Sequence, residues 1–504
     1  MKFIFQVEAS SKIGNGHIVR CLSLAKGLKR RGHRCFFVGS KYSDQILQIL
    51  KKNDFQYFYS LSENKRSYDN KTIEFIQNII PDWIIIDNYE IGENWELTFK
   101  KFCKKILVID DLANRMHHCD LLLDQNMVAD MNTRYNGLTP YSAELLLGSK
   151  YALLDSIYSK IHNNISKKDK NIKRILISFG GTDEFGLTKL SLLALLQLKQ
   201  YNFDIDVVLS SKHCDIALIK EKAETHNNIT LHSDLPTLAE LMAKSDLAMG
   251  TSGTTSWERI CLGLSSITIT VADNQIKIAD YLNKNGLTNW IGHYDQIKKQ
   301  DIFKAVNNAI VSGVKKEWIE RSIGLIDGKG VDRVCDILTI NPDSELHVRD
   351  MSISDRNLVF KWANDPITRA NSLSSKEIKI ETHNKWFKSK LQDNKCRFYL
   401  IKSVNCIAVG MVRFEQLNDG NSYEVHYSIA PIYRGLGMGS HVLRAAIDAI
   451  YLKIGEVVIV GRIKKINVAS ERIFKSIGFK IVSEEDYNSD PVCTYKLNNL
   501  GRII

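Results

Sequence analysis

“SKIGNGHIVRCLSLAKGL”, residues 11–28, stands just behind an apolar run, “FIFQV” at 3–7. A strand, a glycine-rich turn and an amphipathic helix, in that order, open a parallel α/β sheet. Outward from this stretch the pattern repeats. The runs “RCFFVG”, “DWIIIDNY”, “KILVIDD” and “DLLLDQN” each end in turn or polar residues, and helical patterns separate several of them. A charged, apolar-poor stretch, “NNISKKDKNIKR” at 163–174, reads as a linker. Behind it the alternation restarts with “ILISFGGTDEFGLTKLSLLALLQL”, “FDIDVVLS”, “NITLHSD” and “SSITITVADNQ”. The sequence therefore predicts an α/β protein with two Rossmann-like halves in tandem, 1–162 and 163–340, and a third α/β domain of different texture over 344–504.

At 504 residues, with 44% hydrophobic and 25% charged, the chain can bury several cores. No stretch approaches the roughly 18 apolar residues of a membrane helix, and “MKFIFQV” is too short for the apolar region of a signal peptide. A cytoplasmic location without a membrane partner is expected. The ten cysteines are scattered, with no CxxC pair and no zinc-like spacing, which fits reduced and mostly buried thiols. The net charge of +11 suits an acidic partner, but the basic residues are dispersed and no aromatic-rich basic segment stands out. Small phosphorylated ligands fit that charge, and no nucleic-acid partner is expected.

In an open α/β sheet, ligands sit at the carboxyl ends of the strands, where loops and helix N-termini converge. In “SFGGTD”, Gly180 and Gly181 follow a strand and precede a helix. Their amides, with Thr182 and Asp183 beside them, can approach a diphosphate. “GTSGTTSWE” repeats the arrangement with Thr251, Ser252, Gly253 and Thr254, and places Glu258 about one helical turn further on as an acceptor for ribose hydroxyls. Such turns also close strands onto helices without any ligand; two of them in one half point to a nucleotide. His17 follows Gly14 and Gly16 where a helix begins, beside the positive end of a dipole that favours a neutral imidazole able to act as a base. A lone histidine there can equally fill a turn or cap a helix.

The order of “SSKIGNGHIVRCLSLAKGL”, “WIIIDNYEI”, “VIDDLANRMHHCDLLLDQN”, “SFGGTD”, “GTSGTTSWERICLGL” and “VADNQ” resembles the nucleotide-sugar hydrolases of pseudaminic acid biosynthesis, over roughly residues 1 to 335. The resemblance implies two domains in the arrangement of GT-B glycosyltransferases. It also implies hydrolysis of UDP-2,4-diacetamido-2,4,6-trideoxy-β-L-altropyranose by water attack at the anomeric carbon, with inversion and without a metal. By the same resemblance His17 is the base, while Tyr89 and Asn274 orient water and sugar. Gly14, Gly16, Gly180, Gly181, Thr182, Asp183, Thr251, Ser252, Gly253, Thr254 and Glu258 then fall in the substrate site. For Tyr89 and Asn274, packing is the alternative. In “RMHHCD”, His117, His118, Cys119 and Asp120 are metal-ligand types, but consecutive residues rarely converge on one ion, and no metal is expected there. Asp87, Asp110 and Asp111 end strands, where capping and turn roles are the ordinary expectation.

In the third domain, “SYEVHYSIAPIYRGLGMGSHVLRAAI” reads as an alternating strand, a break at Pro431, and a turn with Arg434, Gly435, Gly437 and Gly439 leading into a helix. With “NVASERIFKSIGF” about thirty residues on, it resembles the GNAT acetyltransferases, and “LVFKWANDPITRANS” with “HNKWF” resembles sugar-amine acetyltransferases of the same pathway. That resemblance implies acetyl-CoA as cosubstrate, with Ile429 on the strand beside the pantetheine arm, Arg434, Gly435, Gly437 and Gly439 at the pyrophosphate, and Asn467 nearby. The partners are then UDP-linked amino sugars. Glu424 is the expected base for the amine, with His426 on the same strand face as runner-up and a plain surface glutamate as the alternative. Many members of that family carry a tyrosine where this chain has Phe474, so the coenzyme thiolate takes its proton from Tyr427, Tyr433, Tyr487 or solvent. A glycosyltransferase with a non-water acceptor, joined to a module that only holds coenzyme A, is the competing expectation.

Overall fold

The opening run forms β1 (Lys2–Val7), buried from Phe3 onward, and the helix Gly16–Arg30 packs back over it through Ile18, Cys21, Leu22, Ala25 and Leu28. These positions repeat at three and four residues, so one helical face is apolar. Lys29 and Arg30 complement the negative end of the helix dipole, and Gly32, with φ of +80°, reverses the chain behind it. The computed structural model describes residues 1–8, 16–39, 42–59, 70–165, 171–180, 182–487 and 490–498.

Six further strands complete the first sheet: β2 (Arg34–Gly39), β3 (Gln56–Tyr59), β4 (Trp83–Asp87), β5 (Lys105–Ile109), β6 (Leu121–Asp124) and β7 (Glu144–Leu147). Their order is β3-β2-β1-β4-β5-β6-β7, with parallel pairing from β3 through to β6. Because β4 joins the opposite side of β1 from β2, the topological switch lies between β1 and β4. The second sheet holds β8 (Arg174–Ser178), β9 (Asp204–Val208), β10 (Ile229–His232), β11 (Leu247–Thr251), β12 (Ser265–Thr270) and β13 (Asn289–His293). It is parallel throughout, in the order β10-β9-β8-β11-β12-β13, and its switch lies between β8 and β11.

Both sheets belong to one compact unit, Met1–Thr139 with Leu145–Cys335. The chain crosses between them twice. The helix Ser156–His162 packs on the helices Ala239–Lys244 and Thr255–Cys261, and Ala152, Leu154 and Tyr158 enter the core of the second sheet. The helix Gly330–Leu338 returns to the first sheet, where Val331 and Cys335 press on Gly27 so closely that a β-carbon there has no room. A cut at 162/163 thus leaves with the first half a helix whose apolar face belongs to the second.

The other unit runs from Asp336 onward, with Pro140–Glu144. Its sheet contains β14 (Leu346–Asp350), β15 (Cys396–Ser403), β16 (Ala408–Gln416), β17 (Ser422–Ile429), β18 (Val458–Lys464), β19 (Lys480–Tyr487) and β20 (Asp490–Leu497), ordered β14-β15-β16-β17-β18-β20-β19. All its pairs are antiparallel except β17 with β18, which are parallel and pair only from Ser422↔Val458 to Glu424↔Val460. Beyond Glu424 the two strands part. All ten cysteines are free and most are buried. No helix among the described residues is long and apolar enough to cross a membrane.

Candidate active sites

The β1/β4 switch gathers charge. His17, in the first turn of the helix after β1, sets its Nδ1 2.5 Å from Oδ1 of Asp87, the last residue of β4. Arg20, one helical turn on, donates to both oxygens of that carboxylate at 2.6 Å and to Asp111 at 3.2 Å. Asp87 is fully buried, yet Arg20 and His17 together outweigh the cost of burial and hold its carboxyl well below the usual range. The capping role expected for Asp87 is therefore overturned: its oxygens belong to His17 and Arg20 rather than to backbone amides. Asp110 does accept the amides of Leu112 and Ala113, as its turn position foretold.

With Nδ1 committed to Asp87, Nε2 is the ring atom left for a ligand or water. The Tyr89 ring stands edge-on to the imidazole at 4.6 Å, and its hydroxyl accepts a hydrogen bond from Asn274 at 3.3 Å. Burial, then the charge of Asp111, push the Tyr89 hydroxyl far above its ordinary value, so it stays protonated. Asn274 belongs to the second half, in the helix Asp273–Lys284. Thr254, also from that half, approaches Gly16 so that a β-carbon there would lie 3.1 Å from its hydroxyl. Three residues expected together, His17, Tyr89 and Asn274, are thus neighbours. Gly14 lies outside the described residues.

The β8/β11 switch is built differently. Gly180 has φ of +98°, with open space where a β-carbon would be, and Gly181 lies outside the described residues. Asp183 takes a positive φ and spends its carboxylate on the amides of Leu187 and Thr188, so its side chain caps a helix instead of facing a ligand. Thr182 lines a cavity of about 570 Å³ with Phe185, Lys212 and His213. Ser252 is buried, while Thr251, Gly253 and Thr254 are half-buried. Glu258 is hydrogen-bonded with Tyr158, and burial pushes its carboxyl up to about 7.

The metal-ligand types of “RMHHCD” serve the protein itself. Glu96, fully buried, receives the His117 ring at 2.7 Å and the amide of His118, while Asp120 pairs with Lys100 and Lys105. His213, Cys214 and Asp215 bring their ligand atoms within 4.8 Å of one another. They too are committed: His213 accepts the amide of Asp215 and stands 3.3 Å from the carbonyl of Asp183, and Lys189 pairs with Asp215.

In the other unit, the parting of β17 from β18 leaves the strand from Val425 to Ile429 beside an opening. Gly435 and Gly437 take φ of +75° and +82° just ahead of the helix Met438–Ile454, and Gly439 lets Ile473 pack directly on that helix. The Arg434 guanidinium holds Asp365, Thr368 and the carbonyl of Ile429, and the Arg434 amide donates to the Pro431 carbonyl. Asn467 caps the helix Val468–Ile477 through the amide of Ser470. Opposite Glu424 stands Glu415, itself held by Lys390 and Arg413. Burial, with Glu415 adding to it, raises the Glu424 carboxyl, whereas burial and Arg413 lower His426 to about 4. Phe474 lies in the core, stacked on Phe479 and against Gly461, and of the three tyrosines Tyr427 comes nearest it, 6.0 Å between rings, with its hydroxyl on Ser470.

Sequence reasoning passes over Arg20 and gives Asp87 only a strand-end capping or turn role. Arg20 sits three residues after His17, the spacing of one helical face, and Asp87 closes an apolar strand. Both signals were visible, but only adjacency of β1 and β4 joins them.

Residues 345–480 match the acetyltransferase (GNAT) domain, whose acyl donor is acetyl-CoA. An uncharacterized protein of Methanocaldococcus jannaschii is 27% identical over 95% of this chain and 97% of its own length, so the joined layout recurs. A spore coat polysaccharide biosynthesis protein of Bacillus subtilis is 22% identical over 64% of this chain and 94% of its own. The UDP-2,4-diacetamido-2,4,6-trideoxy-beta-L-altropyranose hydrolase of Campylobacter jejuni is 30% identical over 57% of this chain and 97% of its own. With two parallel sheets meeting at His17 in one unit and a GNAT domain in the other, the chain belongs to the family of that nucleotide-sugar hydrolase, carrying an acetyltransferase domain in addition.

Proposed function

We propose that the first unit, in a GT-B arrangement, hydrolyses a UDP-linked diacetamido trideoxy sugar with inversion, and that the second acetylates its UDP-linked 4-amino precursor, both in the cytoplasm as steps towards pseudaminic acid. The observation that carries this is the His17–Asp87 pair facing Tyr89 and Asn274. Water attacks the anomeric carbon as Nε2 takes its proton, and Asp87 holds the ring and steadies the imidazolium that forms. The bond from that carbon to the phosphate oxygen breaks with its electron pair leaving on UDP. Tyr89 and Asn274, from opposite halves, orient water and sugar. UDP is already a good leaving group and needs charge stabilisation rather than a proton, which the loops after β8 and β11 supply.

In the second unit the coenzyme lies where β17 and β18 part, its pyrophosphate at the turn through Gly435, Gly437 and Gly439. Glu424 takes a proton from the amine, the amine nitrogen attacks the thioester carbonyl, and the carbon–sulfur bond breaks to leave the coenzyme thiolate. Incubation of the protein with the UDP-linked 4-amino sugar and acetyl-CoA, followed by mass spectrometry, tests both steps. Free diacetamido sugar, UDP and coenzyme A are expected together. UDP release only on addition of a non-water acceptor would replace the hydrolase by a glycosyltransferase.

A further inference from the structure

Arg259 lies beneath the loop after β11, only 2% exposed. Its Nη2 donates to the carbonyl of Thr251 at 2.6 Å and to the Ser256 hydroxyl at 3.1 Å, and its Nη1 to the Thr255 hydroxyl at 3.3 Å. All these acceptors are neutral, Nε has no partner, and among the described residues no carboxylate forms an ion pair with it. Arg20, equally buried, has two. Burial lowers the Arg259 guanidinium to about 10, which still leaves it charged at neutral pH. Glu258 beside it, whose carboxyl burial pushes up to about 7, is the acid whose charge acts on it, without forming an ion pair.

A buried cation with neutral partners is unfavourable unless an anion completes it. Two neighbouring features point to the same crevice. A β-carbon on Gly250 would lie 2.7 Å from Nη1 and 2.5 Å from the Ser178 carbonyl, so the glycine admits the guanidinium to the β8/β11 switch. The Ser252 hydroxyl, in the same loop, is buried and has no partner.

We infer that Arg259 is a positioning residue for the nucleotide's diphosphate, holding the 251–256 loop from below and supplying the buried positive charge that the bound phosphates complete. This rests on the reading that the second half binds UDP. The charge it supplies acts on the phosphates and not on the neutral nucleoside, so titration with UDP and with uridine separates the two.

Calorimetric titration of the full chain with UDP and with uridine tests it. In Arg259→Gln, UDP affinity should fall at least about tenfold and lose part of its salt dependence, uridine affinity should stay within about twofold, and Arg259→Lys should recover most of the UDP affinity. The melting temperature, read on the same samples, shows whether the variant is folded, since the hydrogen bonds to Thr251, Ser256 and Thr255 go with the charge. Arg259→Met serves if the glutamine variant does not fold, with the same expectation. A folded variant that binds UDP as the wild type does, or that loses UDP and uridine equally, overturns the inference. Wild-type protein that binds neither ligand overturns the nucleotide reading and this inference with it.

Discussion

The two switch points occupy equivalent places in their sheets and are filled by opposite means. At β1/β4, His17, Arg20 and Asp87 form a buried set, joined by the half-buried Asp111, in which Arg20 pairs with both carboxylates. At β8/β11 the loops are rich in glycine, serine and threonine and lie over Arg259, which among the described residues forms no ion pair with a carboxylate. A site that moves a proton needs its charges held in place before substrate arrives, so that the base is fixed but not consumed. A site that grips an anion needs a positive surplus for the ligand to neutralise. On the proposed function, the fold supplies the crevice twice and the residues divide the work.

The largest effect should come from breaking the first site. His17→Ala should cut UDP release by about 10²- to 10⁴-fold while acetyl transfer continues, because the second site lies in the other unit. Arg20→Met should cost stability as well, about 3–5 kcal/mol, since it strips the bidentate partner from a fully buried carboxylate. Melting temperature and UDP release measured on both variants separate chemistry from scaffold. An unchanged rate in His17→Ala would remove the histidine from the mechanism and the contrast with it.

A smaller effect is expected where the second unit repeats the division. Glu424→Gln should lower acetyl-transfer turnover by about 10²-fold at neutral pH with little change in acetyl-CoA affinity, and high pH should restore part of it by deprotonating the amine in solution. Gly437→Val acts on the other half of that site. The backbone there has φ of +82° and a β-carbon would meet Pro342 at 3.0 Å, so acetyl-CoA affinity should fall about tenfold, read by calorimetry, with hydrolysis unchanged. Turnover that survives in Glu424→Gln with chemistry rate-limiting would move the base to His426, against the direction in which burial and Arg413 push that ring.

Strand–helix alternation and the motif order made the three sheets and the meeting of His17, Tyr89 and Asn274 legible in advance. What could not be read were facts of three-dimensional adjacency. β3, β7 and β13 are short or only partly buried, so their apolar signal is weak. Asp87 looked like any strand-end carboxylate until β4 was placed beside β1, and Asp183 looked like a ligand contact until its amide partners appeared. Arg434 matched a coenzyme motif by position, but Asp365 at a distant helix start claims its guanidinium. A motif fixes backbone shape more surely than the partners of its charged side chains.

The smallest effect sharpens the comparison at Glu258, the acid of the loop side. Its carboxyl is pushed up to about 7 by burial, above the ordinary 4.5 that the unfolded chain keeps. The folded protein therefore holds this proton more tightly, and the stability it lends is fully present below pH 4.5 and lost as pH rises through 7. If its ionised form accepts the ribose hydroxyls, UDP affinity must run the other way, rising with pH through 7 while stability falls. Glu258→Gln should flatten both slopes between pH 5 and 8 and weaken UDP binding at pH 8 by only about three- to tenfold, the worth of one or two hydrogen bonds to a charged group. Calorimetry with UDP and thermal melts on the same samples read the two slopes together. Slopes of the same sign in the wild type, or a variant whose UDP affinity still rises through pH 7, would show that Glu258 serves Tyr158 and the core alone.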